Sequence, residues 1–330
     1  MKVAIIGATG LVGRKMRTML KAHQVPVDEL LLAASASSVG IELELDGEYL
    51  KVQSIEEVLH AKPDVAIFSA GGSVSKEWAL QFAEAGTTVI DNSSAWRMDE
   101  QVPLIVPEVN GALLTKSDKI IANPNCSTIQ LMMAIFPLHQ AYGLKKLVVS
   151  TYQSVSGSGN KALLQLFGER KEEEDYTKVY PHKIDLNCLP HCDEFQDNDY
   201  TKEELKLLNE SRKILGLPQL LVSATAVRVP VIGGHSESVY AAFESEVNPA
   251  DAKALLQDFK GVVLEDNPAD NIYPMPINAY EKDEVFVGRV RQAIGEKNAL
   301  NLWVVADNIH KGAATNAVQI LTHLHQNDLL

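Results

Sequence analysis

Cysteine is scarce in this sequence, since only Cys126, Cys188 and Cys192 occur among 330 residues. An odd and sparse set argues against a disulfide framework of the kind that stabilises small secreted domains. Basic residues are also in the minority, with 30 Lys and Arg against 43 Asp and Glu and a formal net charge of -13. So acidic a chain lacks the basic patch that a phosphate backbone requires, and we expect no nucleic-acid partner.

Long hydrophobic runs are missing as well. No apolar stretch is long enough to cross a bilayer, so we expect no membrane partner. The run at residues 3–6 is too short for the apolar region of a signal peptide and leads straight into a glycine turn. Together with the sparse cysteines, this pattern favours a cytoplasmic protein.

What the sequence does contain is enough apolar material, 46% of residues, for two packed cores. In the first third of the chain, short apolar runs alternate with amphipathic stretches. The predicted strands are at residues 2–6, 30–34, 64–68 and 88–90, and the predicted helices between them are at 11–23 and 75–85. This alternation predicts a Rossmann-type, doubly wound parallel sheet.

The rest of the chain has a different pattern. Further strand-like runs occur at residues 147–156, 227–231, 238–243, 286–290 and 300–306. They predict an α+β domain with a mixed or antiparallel sheet, so the whole chain is assigned to the α/β class. A last helix is predicted over residues 312–326 from apolar residues at helical spacing.

A glycine pattern links the first predicted strand to the first predicted helix. Gly7 and Gly10 allow a tight turn with a close backbone approach, and Gly13 lets the helix pack on the strand. The helix N-terminus then presents free N–H groups to a pyrophosphate. The residues of this turn predicted to bind the cofactor are Gly7, Thr9, Gly10, Leu11 and Val12.

The end of the second strand indicates which nucleotide is bound. An NAD site usually has an acidic residue there, but this loop offers the hydroxyls of Ser35, Ser37 and Ser38 and no carboxylate. Hydroxyls suit the 2′-phosphate of NADP. Residues 33–40 contain no Arg or Lys, so NAD tolerance stays open, and an ordinary polar loop is the alternative.

Cys126 is the candidate nucleophile. Pro124 and Asn125 mark a turn between an apolar strand and a predicted helix, so the thiol falls at or just before the helix N-terminus. The helix dipole and the free N–H groups favour a thiolate there. Thiolates form covalent acyl intermediates, whereas the alternative for a lone cysteine is a buried structural role.

His235 is the candidate base, because imidazole suits proton transfer near neutral pH. It follows Gly233 and Gly234, so we expect it on a flexible turn from which it reaches the site. Arg228 lies in an otherwise apolar strand, where a charged residue is unlikely to be part of a core unless it is paired.

These motifs, taken together, resemble the aspartate-semialdehyde dehydrogenase family, and more closely its shorter bacterial form. The resemblance runs through nearly the whole chain. Its landmarks are GATGLVG at 7–13, DNSSAWR at 91–97, VPEVN at 106–110, NPNCST at 123–128, STYQSVSG at 150–157, EELK at 203–206, VRVP at 227–230, HSES at 235–238, DN at 307–308 and KGAA at 311–314.

The resemblance implies an activity. It is the NADPH-dependent reductive dephosphorylation of L-4-aspartyl phosphate to L-aspartate 4-semialdehyde and phosphate through a cysteine thioester, in lysine, threonine, methionine and diaminopimelate biosynthesis. It also implies a homodimer and a glyceraldehyde-3-phosphate dehydrogenase-like architecture. The expected domains are an NADP-binding domain of residues 1–126 and 309–330, closed by the C-terminal helix, and a catalytic and dimerisation domain of residues 127–308.

The resemblance also implies roles for individual residues. Cys126 matches the nucleophile, His235 the general acid/base, and Gln153 the amide that orients the acyl intermediate. Other positions match the residues that bind the substrate (Arg228, Glu203 and Gln153), the phosphate (Arg97, Lys206 and Asn125) and the cofactor (Ser156, Gly157 and Asn308).

Each of these roles has a plainer alternative. Glu203 and Lys206 could be a solvated i,i+3 pair, and Gln153 an inward polar group bonded to backbone. Arg97 could pair with Asp99 at the surface. The remaining cysteines lie with a histidine in a Cys-x-x-His-Cys run at 188–192, which lacks a clear fourth ligand, so no metal site is expected.

Three competing functions stay open at this point. N-acetyl-glutamyl-phosphate reductase has the same chemistry, but it needs no carboxylate for a free ammonium, so the position of Glu203 argues against it. A non-catalytic relative would typically lose Cys126 or His235. A hydroxy-acid dehydrogenase needs no cysteine, so it would survive alkylation of the thiol.

Overall fold

The computed structural model describes residues 1–45, 47–173 and 175–330. The strands are β1 (Lys2–Ile6), β2 (Glu29–Ala33), β3 (Glu42–Leu45), β4 (Glu48–Gln53), β5 (Val65–Phe68), β6 (Thr88–Asp91), β7 (Ile120–Ala122), β8 (Leu144–Gln153), β9 (Leu221–Arg228), β10 (His235–Phe243), β11 (Val262–Leu264), β12 (Val285–Gln292) and β13 (Ala299–Ala306). The helices are α1 (Leu11–Ala22), α2 (Ile55–His60), α3 (Gly72–Glu84), α4 (Pro107–Asn110), α5 (Cys126–Tyr142), α6 (Asn160–Arg170), α7 (Lys202–Leu215), α8 (Pro249–Asp258), α9 (Pro276–Ala279) and α10 (Thr315–Gln326). No helix in these ranges combines the length and apolar character needed to cross a membrane.

The chain divides into two compact units. The first comprises Met1–Asn125 together with Ala313–Leu330, and the second comprises Cys126–Gly312. The first unit is therefore built from both ends of the sequence, with the second inserted in it.

A seven-stranded sheet forms the centre of the first unit, in the order β3-β4-β2-β1-β5-β6-β7. All its neighbouring strands are parallel except the β3–β4 hairpin at one edge. The central strands β1 and β5 are almost wholly buried and apolar, as expected of parallel strands covered on both faces. This topology is the doubly wound parallel sheet that the sequence predicts.

Two apolar clusters cover the faces of this sheet. One cluster joins α1 and α10 to the sheet through residues such as Met16, Ile5 and Leu321. The other packs α2 and α3 on the opposite face, where the rings of Phe68 and Phe82 meet edge to face with centroids 5.4 Å apart. Because α10 supplies five buried residues to the first cluster, the C-terminal helix closes this unit.

A six-stranded mixed sheet forms the second unit, in the order β11-β12-β13-β10-β8-β9. The outer pairs β8–β9 and β11–β12 are parallel, and the inner pairs are antiparallel. Side chains alternate along β8, so Leu147, Val149, Thr151 and Gln153 are buried, whereas Tyr152 is exposed on the other face. The helix α5 is buried along most of its length and packs on this sheet with α7 and α8 beside it.

Several predicted boundaries were wrong. The strand predicted at 147–156 begins at Leu144 and ends at Gln153, because residues 155–158 turn into a short 3₁₀ helix. The strand predicted at 227–231 lies earlier, since β9 ends at Arg228. The predicted final helix, 312–326, begins with a π-helical turn at His310–Ala314 before α10.

Candidate active site

The glycine turn of the first unit has the geometry of a phosphate cradle. Gly7 adopts φ +95°, and a Cβ there would lie 2.4 Å from the carbonyl oxygen of Ser69. A Cβ on Gly13 would lie 2.2 Å from the Gly7 carbonyl oxygen, so α1 and the turn are in direct backbone contact. Gly10 is the N-cap of α1 and has no side chain to bond the first N–H groups. These donors are available for an anion.

The serine loop follows β2, as predicted. The Ser35 hydroxyl lies 3.0 Å from that of Ser37 and 3.5 Å from that of Ser38, in a short 3₁₀ turn whose hydroxyls face solvent at least in part. The backbone N–H groups of Gly7 and Ala8 both donate to the carbonyl of Ala33, at 2.8 and 3.0 Å. The glycine turn is thus tied to the strand end from which the serine loop departs.

A buried polar network fixes the turn that precedes Cys126. The Arg97 guanidinium donates from Nε to the Asn123 carbonyl at 2.9 Å and from Nη2 to the Asn92 carbonyl at 3.0 Å. The Asn123 amide donates to Asn92 Oδ1 at 2.6 Å and accepts from Asn316 Nδ2 at 2.7 Å. Arg97 is buried, so the alternative of a surface residue is wrong.

Cys126 is the first residue of α5, where the dipole and the free N–H groups of the helix are concentrated. Its side chain is half-buried. Gly312 approaches it so closely that a Cβ there would lie 2.8 Å from the cysteine Cβ. The thiol therefore has the position predicted for it, and a larger residue at 312 would displace it.

Gln153 connects the start of α5 to α7. It is buried at the end of β8, and its Nε2 donates to the Ser127 hydroxyl at 3.0 Å and to Glu203 Oε1 at 3.1 Å. The alternative for Gln153 assumed an amide satisfied by backbone, but its amide nitrogen is bonded to two side chains. Because Ser127 directly follows Cys126, the amide is held beside the first turn of α5.

Glu203 and Lys206 face each other on α7. Lys206 Nζ lies 2.9 Å from Glu203 Oε2 and 2.7 Å from Asp193 Oδ2. Burial disfavours the ammonium, but the two carboxylates outweigh it and raise the pKa of Lys206. Glu203 is only 7% exposed, so the pair is not the solvated i,i+3 pair of the alternative interpretation.

Local signals explain why α7 presents these residues. Thr201 and Glu204 form a capping box, which starts the helix at Lys202. The carboxylate of Glu204 also accepts the Ala226 N–H of β9 at 2.9 Å. The first turn of α7 is thereby fixed to the strand that ends in Arg228.

Arg228 is buried at the end of β9, where its backbone pairs with Leu189 through bonds of 2.7 and 2.9 Å. Its Nη1 donates to the Ser154 carbonyl at 2.7 Å. A Cβ on Gly157 would lie 2.9 Å from Nη1 and 3.0 Å from His235 Nε2. Gly157 therefore lies against both the arginine and the histidine, and only glycine fits there without movement.

His235 is not on a flexible turn, as the sequence suggested. It is the first residue of β10, fully buried, and paired in register with Ala306 of β13. Its Nδ1 accepts the Ser154 N–H at 3.1 Å. Burial, aided by the Arg228 charge, lowers the pKa of His235 to about 3. The two glycines end the preceding loop, and the strand begins one residue later.

The tautomer of His235 follows from this contact. A backbone N–H can only donate, so Nδ1 carries no proton and the neutral ring carries its proton on Nε2. Nε2 is buried and has no hydrogen-bond partner within the described chain. The N–H group at Nε2 is therefore a buried donor that can bond to a ligand.

Asn308 organises the loop between β8 and α6. Its Oδ1 accepts the Ser154 hydroxyl at 2.9 Å and the Gly234 N–H at 3.1 Å, and its Nδ2 donates to the Ser156 hydroxyl at 3.0 Å. The side chain is buried. Its predicted contact with the cofactor stays a prediction, while its part in holding this loop is visible.

The second unit thus joins most of its predicted residues in one polar network. The network consists of two hydrogen-bonded groups that are joined through the consecutive residues Gln153 and Ser154, and its predicted members are Gln153, Ser156, Glu203, Lys206, Arg228, His235 and Asn308. Sequence reasoning missed Ser127 and Ser154, which connect the network to α5 and to the histidine. Both are adjacent to a predicted site residue in the sequence, which was the available signal.

The Cys-x-x-His-Cys run has a different character. Cys188 is exposed, Cys192 is buried, and the His191 ring stacks on Phe195 with centroids 4.4 Å apart. Burial raises the pKa of Cys192 to about 11. Across residues 1–45, 47–173 and 175–330, no group of three or more His, Cys, Asp or Glu side chains is placed to hold a metal ion.

Known proteins share both units. The family model of the semialdehyde dehydrogenase NAD-binding domain matches residues 2–117, and that of the semialdehyde dehydrogenase dimerisation domain matches residues 135–311. The aspartate-semialdehyde dehydrogenase of Aquifex aeolicus is 50% identical over 337 residues and covers 100% of this chain and 99% of the relative. The chain belongs to the aspartate-semialdehyde dehydrogenase family. The resemblance seen in the sequence is thereby confirmed.

Other members of the aspartate-semialdehyde dehydrogenase family agree over the full length. The Bacillus subtilis enzyme is 45% identical, over 99% of this chain and 98% of the relative. The crystal structure of aspartate semialdehyde dehydrogenase II from Vibrio cholerae has a TM-score of 0.94 at 42% identity, covering 99% of this chain and 98% of that one. A second structure of that protein, complexed with ASA, has the same TM-score and identity. The predicted fold class is confirmed.

Proposed function

We propose that this oxidoreductase converts L-4-aspartyl phosphate to L-aspartate 4-semialdehyde and phosphate at Cys126, with NADPH as the reductant. The observation that carries the proposal is the Gln153 amide. It bonds both Ser127, next to the thiol at the start of α5, and Glu203, a carboxylate that suits an amino-acid ammonium. The counter-charge and the orienting amide are thus in one chain of hydrogen bonds, which ends at the residue next to the nucleophile.

In the first step the Cys126 sulfur attacks the acyl carbon and the carbon–oxygen bond to phosphate breaks. Phosphate leaves with the bonding electron pair, and a thioester remains on the sulfur. NADPH, when bound, supplies the hydride that reduces this carbonyl. The resulting tetrahedral oxyanion re-forms a carbon–oxygen double bond to give the aldehyde, and the electrons of the carbon–sulfur bond return to Cys126 as thiolate.

His235 stabilises oxygen charge during these steps, in our proposal. As a neutral ring with its proton on Nε2, it donates a hydrogen bond and needs no acidic medium to do so. The same geometry blocks Nδ1, since that atom already accepts the Ser154 N–H. The general acid/base role implied by the resemblance therefore requires Nε2, and it stays a prediction.

Two charges select the amino-acid part of the substrate. The Arg228 guanidinium binds the α-carboxylate, for which a planar fork is better suited than an ammonium. The Glu203 carboxylate binds the α-ammonium, in a position fixed by its contacts with Gln153 and Lys206. Both side chains are buried, so their charges act in a medium of low dielectric constant.

Phosphate binding is assigned to Arg97, Lys206 and Asn125. Lys206 keeps its positive charge because two carboxylates raise its pKa. Arg97 is held by the carbonyls of Asn92 and Asn123 in the turn that Asn125 ends. Cations from two elements suit a dianion better than one.

The cofactor is NADP, in our proposal. The glycine turn offers backbone donors for the pyrophosphate, and the loop with Ser35, Ser37 and Ser38 has hydroxyls where an NAD site has a carboxylate. Residues 1–126 and 309–330 form the NADP-binding domain, and Ser156, Gly157 and Asn308 of the other domain contact the nicotinamide side. If the 2′-phosphate of NADP is bound only weakly, the enzyme also accepts NAD, which lacks this group.

Residues 127–308 form the catalytic and dimerisation domain of a homodimer. In support, the face of the mixed sheet opposite α5 leaves Val148, Tyr152 and Leu221 exposed. Exposed apolar side chains on a sheet face are typical of a subunit interface. A cytoplasmic location and a role in lysine, threonine, methionine and diaminopimelate biosynthesis are part of the same proposal.

The test is the reverse reaction followed by NADPH absorbance at about 340 nm. Purified protein receives aspartate semialdehyde, phosphate, and either NADP or NAD. We expect phosphate-dependent reduction of NADP with a smaller signal from NAD. Activity with N-acetyl-glutamate semialdehyde alone would move the function to the related reductase, and silence with both aldehydes would refute a catalytic role.

A further inference from the structure

An aromatic ring covers the arginine that our proposed function assigns to the substrate carboxylate. The Arg228 guanidinium carbon lies 5.9 Å from the centre of the Tyr180 ring, within the range of a cation–π contact. Neither the cofactor motifs nor the catalytic residues derived above include Tyr180. The contact limits the directions in which the guanidinium can turn.

Polar atoms of both residues lack a regular hydrogen bond. The Tyr180 hydroxyl is buried and has no hydrogen bond of regular geometry to any described residue, although the Ser158 side chain is near enough to lower its pKa, and Arg228 Nε has none either. Burial raises the pKa of Tyr180, although the Arg228 charge opposes this, so the hydroxyl stays protonated and can donate. A buried donor without an acceptor is costly, and in an enzyme it often points to a ligand.

The backbone that carries Tyr180 is held by α6. Gln165 Oε1 accepts the N–H groups of Val179 and Tyr180 at 2.6 and 3.0 Å. Gln165 Nε2 in turn donates to Glu169 Oε1 at 2.8 Å, one helical turn later. Gln165 and Glu169 are both buried. The tyrosine is thus on a segment whose course is determined by side chains rather than by a sheet.

Glu169 holds the far end of the same segment. Its Oε2 accepts the N–H groups of Ile184 and Asp185 at 2.9 and 2.8 Å. We call residues 179–185 the clamped segment. Two side chains of α6 accept four backbone N–H groups of the clamped segment, whereas the N–H groups of an ordinary surface loop can bond to water. This arrangement indicates that the placement of Tyr180 matters.

We propose that the Tyr180 hydroxyl donates a hydrogen bond to the substrate α-carboxylate that Arg228 binds. A carboxylate has four lone-pair sites, so it accepts a tyrosine O–H alongside the arginine fork. Tyr180 is then a specificity-determining residue for substrates that carry this group. The inference rests on the proposed function, because it assumes that Arg228 faces the substrate.

The first experiment is Tyr180→Phe, which removes the hydroxyl and keeps the ring over Arg228. We expect the KM for aspartate semialdehyde to rise about tenfold, equivalent to roughly 1.4 kcal/mol, with kcat changed by less than about twofold. The KM values for phosphate and NADP should stay as in the wild type. An unchanged KM for the aldehyde would overturn the proposal.

A matched control is Tyr176→Phe, the same change four residues earlier, where the ring packs on Gly168. It should leave the KM for the aldehyde unchanged. If Tyr176→Phe raised this KM as much as Tyr180→Phe, the effect would come from a disturbed segment and not from a hydroxyl bonded to substrate.

The second experiment uses 3-aminopropanal, which has the aldehyde and the ammonium but lacks the α-carboxylate. With this substrate, wild type and Tyr180→Phe should have equal kcat/KM. A persisting difference would refute the carboxylate as the partner. Failure of the proposed function is distinguishable, since then the wild type itself would not turn over aspartate semialdehyde.

Discussion

The glycine turn and the Gln153 network are two ways of building a site, one from backbone and one from side chains. In the turn, Gly7 and Gly13 bring main chain against main chain, and the donors offered are N–H groups. In the network, Gln153 ends β8 and His235 begins its antiparallel neighbour β10, so both are buried at the same end of the sheet, and side chains do the binding. The first site occupies seven consecutive residues, whereas the second gathers groups from α7, β8, β9, β10 and the loops that carry Ser156 and Asn308.

This difference decides what each site tolerates. A backbone cradle does not depend on the identity of most of its side chains, but it has no room for a Cβ at certain positions. A side-chain network tolerates substitutions in the surrounding backbone elements. However, when one of its own side chains is removed, the hydrogen-bond partners of that side chain are left unsatisfied. Substitutions should therefore affect the two sites in different ways.

The largest effect is expected for Cys126→Ala, which removes the nucleophile from the side-chain site. Turnover should fall by at least about 10³-fold, because the covalent route is lost. NADPH binding, measured by fluorescence titration, should be retained. The matched control is Cys188→Ala at an exposed thiol, which should keep full activity. Turnover by Cys126→Ala near the wild-type rate would remove covalent catalysis from the account.

An intermediate effect is expected for Gly13→Ala in the backbone site. The new Cβ would lie 2.2 Å from the Gly7 carbonyl oxygen, so the turn must move. We expect a loss of about 1–3 kcal/mol in the free energy of unfolding and a weaker Kd for NADPH. Thermal melting and NADPH titration provide the measurements.

Gly10→Ala is its control, because a Cβ there would meet the same oxygen at 3.3 Å, which a small shift relieves. We expect its Tm to lie much closer to that of the wild type. Equal losses in the two variants would mean that backbone contact does not determine the shape of the turn.

The smallest effect is expected for Glu237→Gln, which tests a buried carboxyl on the same face of β10 as His235. Burial raises the pKa of Glu237 well above its usual value. Its stabilising contribution is then complete below the unfolded pKa near 4.5 and is lost as pH rises towards the folded value. Between the unfolded and the folded pKa, the free energy of unfolding of the wild type should therefore fall by up to about 1.4 kcal/mol per pH unit relative to that of Glu237→Gln.

Urea unfolding at about pH 5 and pH 6 measures this difference. Glu100→Gln serves as control, since it removes a carboxylate from an exposed position. A wild-type and Glu237→Gln difference that stays constant with pH would contradict a buried, protonated carboxyl. Such a result would also make the interior of the side-chain site more polar than its contacts indicate.

The backbone site was the more predictable of the two. Gly7, Gly10 and Gly13 are consecutive in sequence and lie between a strand and a helix, so local spacing was enough. Cys126 was placed correctly for the same reason, since proline and asparagine mark the turn before α5. The sheet of the first unit followed from its alternating apolar runs.

The side-chain site was harder, because its members meet through tertiary packing. His235 was expected on a turn, since two glycines precede it, yet pairing with β13 extends the strand to that residue. Gln165 and Glu169 gave no signal, because a helix with these residues at i and i+4 looks like an ordinary polar surface. Glu237 could have been found from its spacing, since it lies two residues from His235 in a strand and so shares its face.

The helix α10 has a consequence for how the chain is made. Its Ala317, Ile320 and Leu324 complete an apolar cluster with Val3 and Ile5, although more than 300 residues separate these partners. On a ribosome, the first strands emerge long before the helix that covers them. The first unit is therefore completed only after the whole second unit has been synthesised, and its sheet face stays uncovered and open to chaperones until α10 emerges.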